Sequence, residues 1–337
     1  MTTTSHTIGQ EKTDKTNLQP KVFVLTLNWN GKKWLGDCLT SILEMDYPNY
    51  EVVVIDNGST DGSVDFVREN FPNVHLVLNG ENLGYSEGFN QGIRYAHQRG
   101  ADYFLIMNND TVIDKNALSA LMETALTQNK AGFVTGKVYY YDQPDTLQTI
   151  GKNDHKILWN GSHVGFKQKD IGQYQQVKEF PFLDDIFVLV SKKLYQEVGG
   201  YNPQFFLEAE EYEWQARSKE KGWKFYYTPK AKIWHRVSMS MGGSGNVIAR
   251  YFDIRNGILV MALHAGLVRF LKYYAYISWE VISSLVIGIP AKIIRPRLQL
   301  KYRWAGFMGF CAGTLWLLHR KPARRVPFVI RMLRKGR

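Results

Sequence analysis

The stretch EVVVIDNGSTDGS, residues 51–63, changes character half-way. Val52, Val53, Val54 and Ile55 form an unbroken apolar run, the mark of a strand buried on both faces of a parallel sheet. The run stops at Asp56. Asn57, Gly58, Ser59, Thr60 and Asp61 follow, residues that favour turns and helix starts because their side chains bond nearby backbone. The same change recurs on either side. VFVLTLNW (22–29) leads into the helix-like KKWLGDCLTSILEM (32–45), VDFVREN (64–70) into VHLVLN (74–79), and a long polar helical stretch into YFLIM (103–107). This alternation predicts an α/β fold, a Rossmann-like and mostly parallel sheet with crossover helices on both faces.

An open α/β sheet binds ligands at the carboxyl ends of its strands. Those ends carry Asn28 with Trp29 and Asn30, then Asp56 with Asn57 and Gly58, then Asn79 to Gly84 (with Asn82), then Asn108, Asn109 and Asp110. One polar strand end is ordinary turn chemistry; four in series describe a polar crevice. Capping explains Asp61, whereas Asp56 lies where it could accept a hydrogen bond from a base imide. The glycines of GYSEGFNQG (84–92) fit close helix packing as well as they fit phosphate binding.

Other chemistries are excluded. No G-x-G-x-x-G follows the first strand, and neither a P-loop nor G-x-S-x-G is present. The formal net charge of +11 suggests nucleic acid until its position is read. From Arg269 onward, 15 Lys and Arg meet a single acid, Glu280, so the body is slightly acidic and no basic groove for DNA or RNA is expected. Cys38 and Cys311 are too few and too far apart for a disulfide or metal framework, which points to a reducing compartment. The first twenty residues have no apolar core of a signal peptide and are expected to be a disordered lead.

Five segments resemble glycosyltransferase family 2 in order and spacing: VFVLTLNWNG, VVVIDNGSTDGS, NLGYSEGFNQGI, FLIMNNDT and GGYNPQFFLEAEEYEWQARSKEKGWKFYYTPKAKIWH. They span about residues 22 to 236. The resemblance implies the GT-A nucleotide-sugar-binding fold and an inverting, metal-dependent sugar transfer. It divides the chain into a nucleotide-sugar-binding half (21–130), an acceptor-binding and catalytic half (131–246) and a basic, aromatic helical region (247–337). The family's D-x-D motif corresponds to Asn108, Asn109 and Asp110, of which only Asp110 is an anion able to hold Mg²⁺ or Mn²⁺. His235 matches a second metal ligand. Asn28, Asn30, Asp56, Asn82, Gly84, Asn90, Asn108 and Asn109 fall on donor-binding segments. Of the glutamates opening the helix at 210, Glu211 matches the general base, with Glu210 as the alternative. FFLEAEEYEWQAR and YFDIRNGIL are most similar to bacterial rhamnosyltransferase-like members, which implies rhamnose from dTDP-rhamnose as donor sugar and a lipid-linked saccharide of the cell surface as acceptor. A UDP-hexose donor, or a catalytically silent nucleotide-sugar-binding or scaffold protein, are the alternatives.

The tail has its own reading. Trp304–Leu318 is uncharged for about 22 Å of helix, short of the roughly 30 Å hydrocarbon core, and Tyr273–Ala291 is interrupted by Glu280 and Pro290. Both are flanked by Lys and Arg, which suits helices lying on an anionic membrane surface at the cytoplasmic face, anchored by Trp304, Phe307, Phe310, Leu315, Trp316 and Leu317.

Overall fold

A computed structural model of the chain describes residues 19–237, 246–286 and 296–319. The expected disordered lead lies outside the described residues but for its last two positions, as do the basic stretches at 287–295 and 320–337.

The elements run β1 (Val22–Asn28), α1 (Lys32–Leu43), β2 (Tyr50–Asp56), α2 (Ser63–Asn70), β3 (His75–Leu78), α3 (Gly84–Gln98), β4 (Tyr103–Asn108), β5 (Thr111–Ile113), α4 (Ala117–Thr127), β6 (Ala131–Tyr140), β7 (Gln143–Thr149), β8 (Lys178–Phe180), β9 (Phe187–Ser191), α5 (Lys192–Val198), α6 (Glu210–Glu220), β10 (Lys224–His235), α7 (Val247–His264), α8 (Leu267–Val286) and α9 (Pro296–His319). One sheet holds them in the order β3-β2-β1-β4-β9-β6-β10-β5, with β7 on β6 and β8 on β10. The four strands of residues 22–108 are parallel. Beyond them the sheet is mixed. β9 inserts antiparallel between β4 and β6, and β10 returns parallel to β6. The expectation of a mostly parallel sheet holds, because β6 and β10 point the same way as the first four strands; β9 is the antiparallel insertion, starting at the crevice and running away from it.

Alternation along each strand builds two cores. Val22, Val24, Val52, Val54, Leu105 and Met107 face α1 and α4, while Phe23, Leu25, Val53, Ile55, Phe104 and Ile106 face α3 and Trp214 of α6. On α3 the glycine spacing proves to be close packing. A Cβ at Gly92 would lie 2.4 Å from Ile55 Cδ1, and one at Gly88 2.8 Å from Leu27 Cδ1.

Helix α7 is buried along its middle, from Tyr251 to Met261, and packs with Phe205, Tyr212 and Trp159 into a third core. Helices α8 and α9 cover it. No helix among the described residues is long and apolar enough to cross a membrane. The anchor expected of α9 is corrected in its details. Phe307, Phe310, Trp316 and Leu317 turn inward onto the third core, because α9 must cover α7. The apolar surface lies instead on α8, where Val268, Leu271, Tyr276, Trp279, Ile282 and Val286 form one stripe, each 47% to 80% exposed. Trp304, Leu315 and Leu318 on α9 are also exposed.

Candidate active site

The strand ends are knit together by amides. Asn28, buried where β1 ends, donates from Nδ2 to Asp56 Oδ2 (3.1 Å) and to Ser59 Oγ (3.0 Å), and its Oδ1 accepts from Asn109 Nδ2 at 2.8 Å. Asp56 Oδ1 accepts the backbone N–H groups of Gly58 (3.1 Å) and Ser59 (2.9 Å), so this carboxylate braces its own turn. A carboxylate has about four acceptor positions, which leaves room for a further donor such as a base imide. Asn30 and Asn82 shape the rim. Asn30, at φ 53°, accepts from Thr60 N at 2.7 Å, and Asn82 accepts from Asn57 Nδ2 (3.1 Å) and Gly84 N (2.9 Å). Asp61 accepts from Lys32 N (2.9 Å) and Ser63 N (3.0 Å), the capping role read from the sequence.

Two of the expected donor contacts are structural. Gly84 adopts φ 82°, and a Cβ there would lie 2.5 Å from the ring and the carbonyl oxygen of Phe206. Asn90 donates to Tyr201 O (2.9 Å) and Glu87 Oε2 (3.3 Å) and accepts from Tyr201 N (3.0 Å). The loop before α6 folds over the start of α3, where Tyr85 N bonds Phe206 O at 2.7 Å, so Gly84 and Asn90 both contact the segment leading into α6.

Asp110 and His235 are brought together across the β5–β10 pair, with Asp110 Oδ1 3.2 Å from His235 Nε2. Both residues are buried. Gln148 Oε1 lies 2.9 Å from His235 Nδ1, a contact that suits the tautomer with its proton on Nδ1, in which Nε2 is able to ligate a cation. One imidazole nitrogen and one carboxylate oxygen at this spacing suit a divalent cation. No group of three or more His, Cys, Asp or Glu side chains among the described residues is placed to hold a metal ion, so a cation here would keep coordination positions for phosphate oxygens and water.

The acids opening α6 complete the crevice. From Asn108 a contact path leads to them: Tyr85 Oη lies 3.4 Å from both Asn108 Oδ1 and Asp185 O, and Tyr201 Oη donates to Asp185 Oδ2 at 2.9 Å. Burial, then the neighbouring Glu211 charge, push the Asp185 carboxyl up to about 7. Glu210 is buried with Oε2 unpartnered, and burial followed by the charges of Glu211, Asp185 and Glu208 raises its carboxyl well above the ordinary range. Glu211 differs. Its Oε1 accepts from Lys152 Nζ at 3.1 Å, and Lys152 is held in turn by Asp184 Oδ1 at 2.9 Å. Burial would favour neutral Lys152, but Asp184 and Glu211 outweigh it and keep the ammonium charged. Sequence reasoning missed Lys152 and Asp185. The only signal was the Asp pair 184–185 just before an apolar strand, which reads as a strand start.

Residues 22–199, just over half the chain, match the family described as Glycosyl transferase family 2. The chain belongs to glycosyl transferase family 2. Within the family it is similar to the poly-beta-1,6-N-acetyl-D-glucosamine synthase of Staphylococcus aureus, 24% identical over 218 residues, 64% of this chain and 50% of that protein. It is also 24% identical over 210 residues to the N-acetylglucosaminyl-diphospho-decaprenol L-rhamnosyltransferase of Mycobacterium tuberculosis, covering 57% of this chain and 68% of that one. The chain thus spans about half the length of the first of these relatives. Among solved structures, the family 2 chain superposes on the mannosyltransferase PcManGT from Pyrobaculum calidifontis in complex with GDP-Man and Mn²⁺, with a TM-score of 0.52 at 17% identity over 90% of this chain and 88% of that one. It also superposes on GalNAc-T7 with UDP, GalNAc and Mn²⁺, with a TM-score of 0.59 at 13% identity over 92% of this chain and 57% of that one. The family 2 chain therefore has the GT-A fold.

Proposed function

We propose that the protein is an inverting, metal-dependent glycosyltransferase that moves a sugar, best read as rhamnose from dTDP-rhamnose, to a lipid-linked saccharide at the cytoplasmic face of a membrane. The single observation that carries the chemistry is the Asp110–His235 pair, with Nε2 of the imidazole and one carboxylate oxygen 3.2 Å apart and Gln148 Oε1 on the ring's other nitrogen. These two residues would hold Mg²⁺ or Mn²⁺, which when bound neutralises the diphosphate that leaves. The structures with Mn²⁺ named above support a divalent cation here.

The protein's own groups do the rest. Asp56 and the Asn28–Asn109 amides bind and orient the nucleotide. Glu211, ion-paired through one oxygen only, takes the acceptor hydroxyl's proton on the other. Glu210, whose burial and acidic neighbours favour the neutral form, is poorly suited to begin as a base. The mycobacterial relative's name, with its rhamnosyl donor chemistry and diphospho-decaprenol acceptor, supports rhamnose and a lipid-linked acceptor. The apolar stripe of α8 and the basic composition of residues 269–337 support membrane docking.

Release of nucleoside diphosphate from a panel including dTDP-rhamnose, UDP-hexoses and GDP-mannose, with a polyprenyl-diphosphate saccharide acceptor and Mn²⁺ or Mg²⁺, tests the reading. We expect turnover with one donor, lost in Asp110→Ala together with metal-dependent donor binding. Turnover with no donor would favour a silent binding protein. Near-normal turnover of Asp110→Ala with metal present would remove the metal assignment.

A further inference from the structure

We infer that Arg255 and Asn256 of α7, residues outside the segment that matches the family, are positioning residues that aim the glutamate pair. The chain enters α6 through Glu208 and Ala209, which stand at φ 66° and φ 67°, in the left-handed region. Two consecutive side-chain-bearing residues do not hold this conformation unaided, because each Cβ crowds the adjoining carbonyl. Asn256, fully buried, supplies the hold: its Nδ2 donates to Leu207 O and to Glu208 O, both at 2.7 Å. Those two carbonyls belong to the peptide planes on either side of the Glu208 Cα. One amide fixing both planes fixes the φ and ψ between them, and with them the direction in which α6 starts and presents Glu210 and Glu211.

Arg255 sets the amide itself. Its Nη1 donates to Asn256 Oδ1 at 2.5 Å and to Gln204 O at 2.9 Å, so the Asn256 side chain is not free to turn over and exchange its donor for its acceptor. The guanidinium is 1% exposed and forms no ion pair with a carboxylate among the described residues. A buried cation spent on two neutral oxygens fits a role in orienting them, since charge-assisted bonds are shorter and stronger than neutral ones. Trp316 of α9 adds a bond from Nε1 to Gln204 Oε1 at 3.0 Å, which extends the hold into the covering helices.

The inference rests on Glu210 and Glu211 being the catalytic carboxylates, and the test separates the two ideas. Full-length Asn256→Ala, Asn256→Asp and Asn256→Ala/Ala209→Gly would be compared with the natural chain by amide hydrogen exchange over residues 207–213, by thermal unfolding and by turnover of whichever donor the natural chain uses. Asn256→Asp keeps the side chain's shape and its contact with Arg255, replaces the two N–H donors by a carboxylate oxygen that repels both carbonyls, and adds a negative charge beside Arg255. We expect cooperative unfolding, faster exchange confined to the entry of α6, and kcat lower by about 10- to 100-fold with donor KM within about twofold, the pattern of misplaced groups. Ala209→Gly should restore several-fold of both readings in the Asn256→Ala background, because glycine enters the left-handed region without a Cβ penalty. Unchanged exchange in both Asn256 variants, or losses that track global stability and ignore Ala209→Gly, would overturn the inference. If the natural chain turns over no donor, the functional reading fails, and the exchange data with their glycine rescue still decide the positioning role.

Discussion

Glu210 and Glu211 are neighbours in the chain and differ in almost every physical respect. Glu210 is enclosed, unpartnered at Oε2 and raised by burial, which favours its neutral form. Glu211 shares one oxygen with Lys152 and keeps the other. Glu211→Gln should therefore keep donor binding and lose about 10² to 10⁴ in transfer rate, while Glu210→Gln, which replaces a neutral acid by a neutral amide, should retain most activity. Steady-state rates of the two variants check this, and the reverse pattern would exchange their roles. The same burial shapes the pH dependence of stability. Asp185 at about 7 and Glu208 at about 8 stand well above the ordinary carboxylate range near 4, so between pH 4 and 8 the folded chain keeps protons that the unfolded chain has released. These groups stabilise fully below pH 4 and lose that contribution as pH rises through 7 to 8. Asp184, lowered by Lys152 and His163 against its burial, acts in the opposite sense and withdraws its support below about pH 4. Melting temperature followed from pH 5 to 8 should fall less steeply in Asp185→Asn than in the natural chain. Asp110, Asp56 and the glutamate pair were legible because charge at a strand end or helix start needs a reason. Lys152 was not, because its two partners lie at positions 184 and 211 and nothing local announces them.

Among the elements, α3 shows where periodicity stops short of a decision. Its glycine spacing was compatible with phosphate binding and with packing, and only the distances to Ile55 and Leu27 separate the two. Gly92→Val should overpack the α3–β2 contact at a cost of about 1–3 kcal/mol and lower the melting temperature by several degrees without changing donor affinity. Loss of donor binding with unchanged melting would return the glycines to the site. Strand β9 was hidden for a related reason. FVLVS is as apolar as a buried parallel strand, and an apolar run records burial on both faces but not direction. The start of α6 was legible as acidic, yet the left-handed pair before it carries no glycine that would mark it.

Across the whole molecule, the acidic body and the basic, apolar-faced helices divide two tasks. The stripe on α8 offers apolar burial, and the Lys and Arg of the tail offer attraction of roughly 1 kcal/mol each near a negative surface. Full-length protein should sediment with anionic vesicles, less so in high salt or with neutral lipid, and Leu271→Glu/Trp279→Glu should release it while donor binding persists. Binding that survives alkaline carbonate would point to insertion instead, and an intact protein indifferent to vesicles would sink the docking surface. Basic composition suggested a partner for the tail, whereas which helix face stays bare depends on α9 covering α7 and could be read only from packing.

The antiparallel seam at β9 also bears on how the chain leaves the ribosome. Strand β4 ends at Asn108, but the strand that seals its outer edge begins with the Met107–Phe187 pair, about eighty residues later. At about 5 to 20 residues per second, translation leaves that edge uncovered for several seconds. During that interval the nascent chain presents Phe104, Leu105, Ile106 and Met107 along a row of unsatisfied backbone groups, an invitation to pair with another chain. Yield on expression should therefore rise when chaperones that shield exposed strands are supplied during synthesis, even in a variant of unchanged final stability.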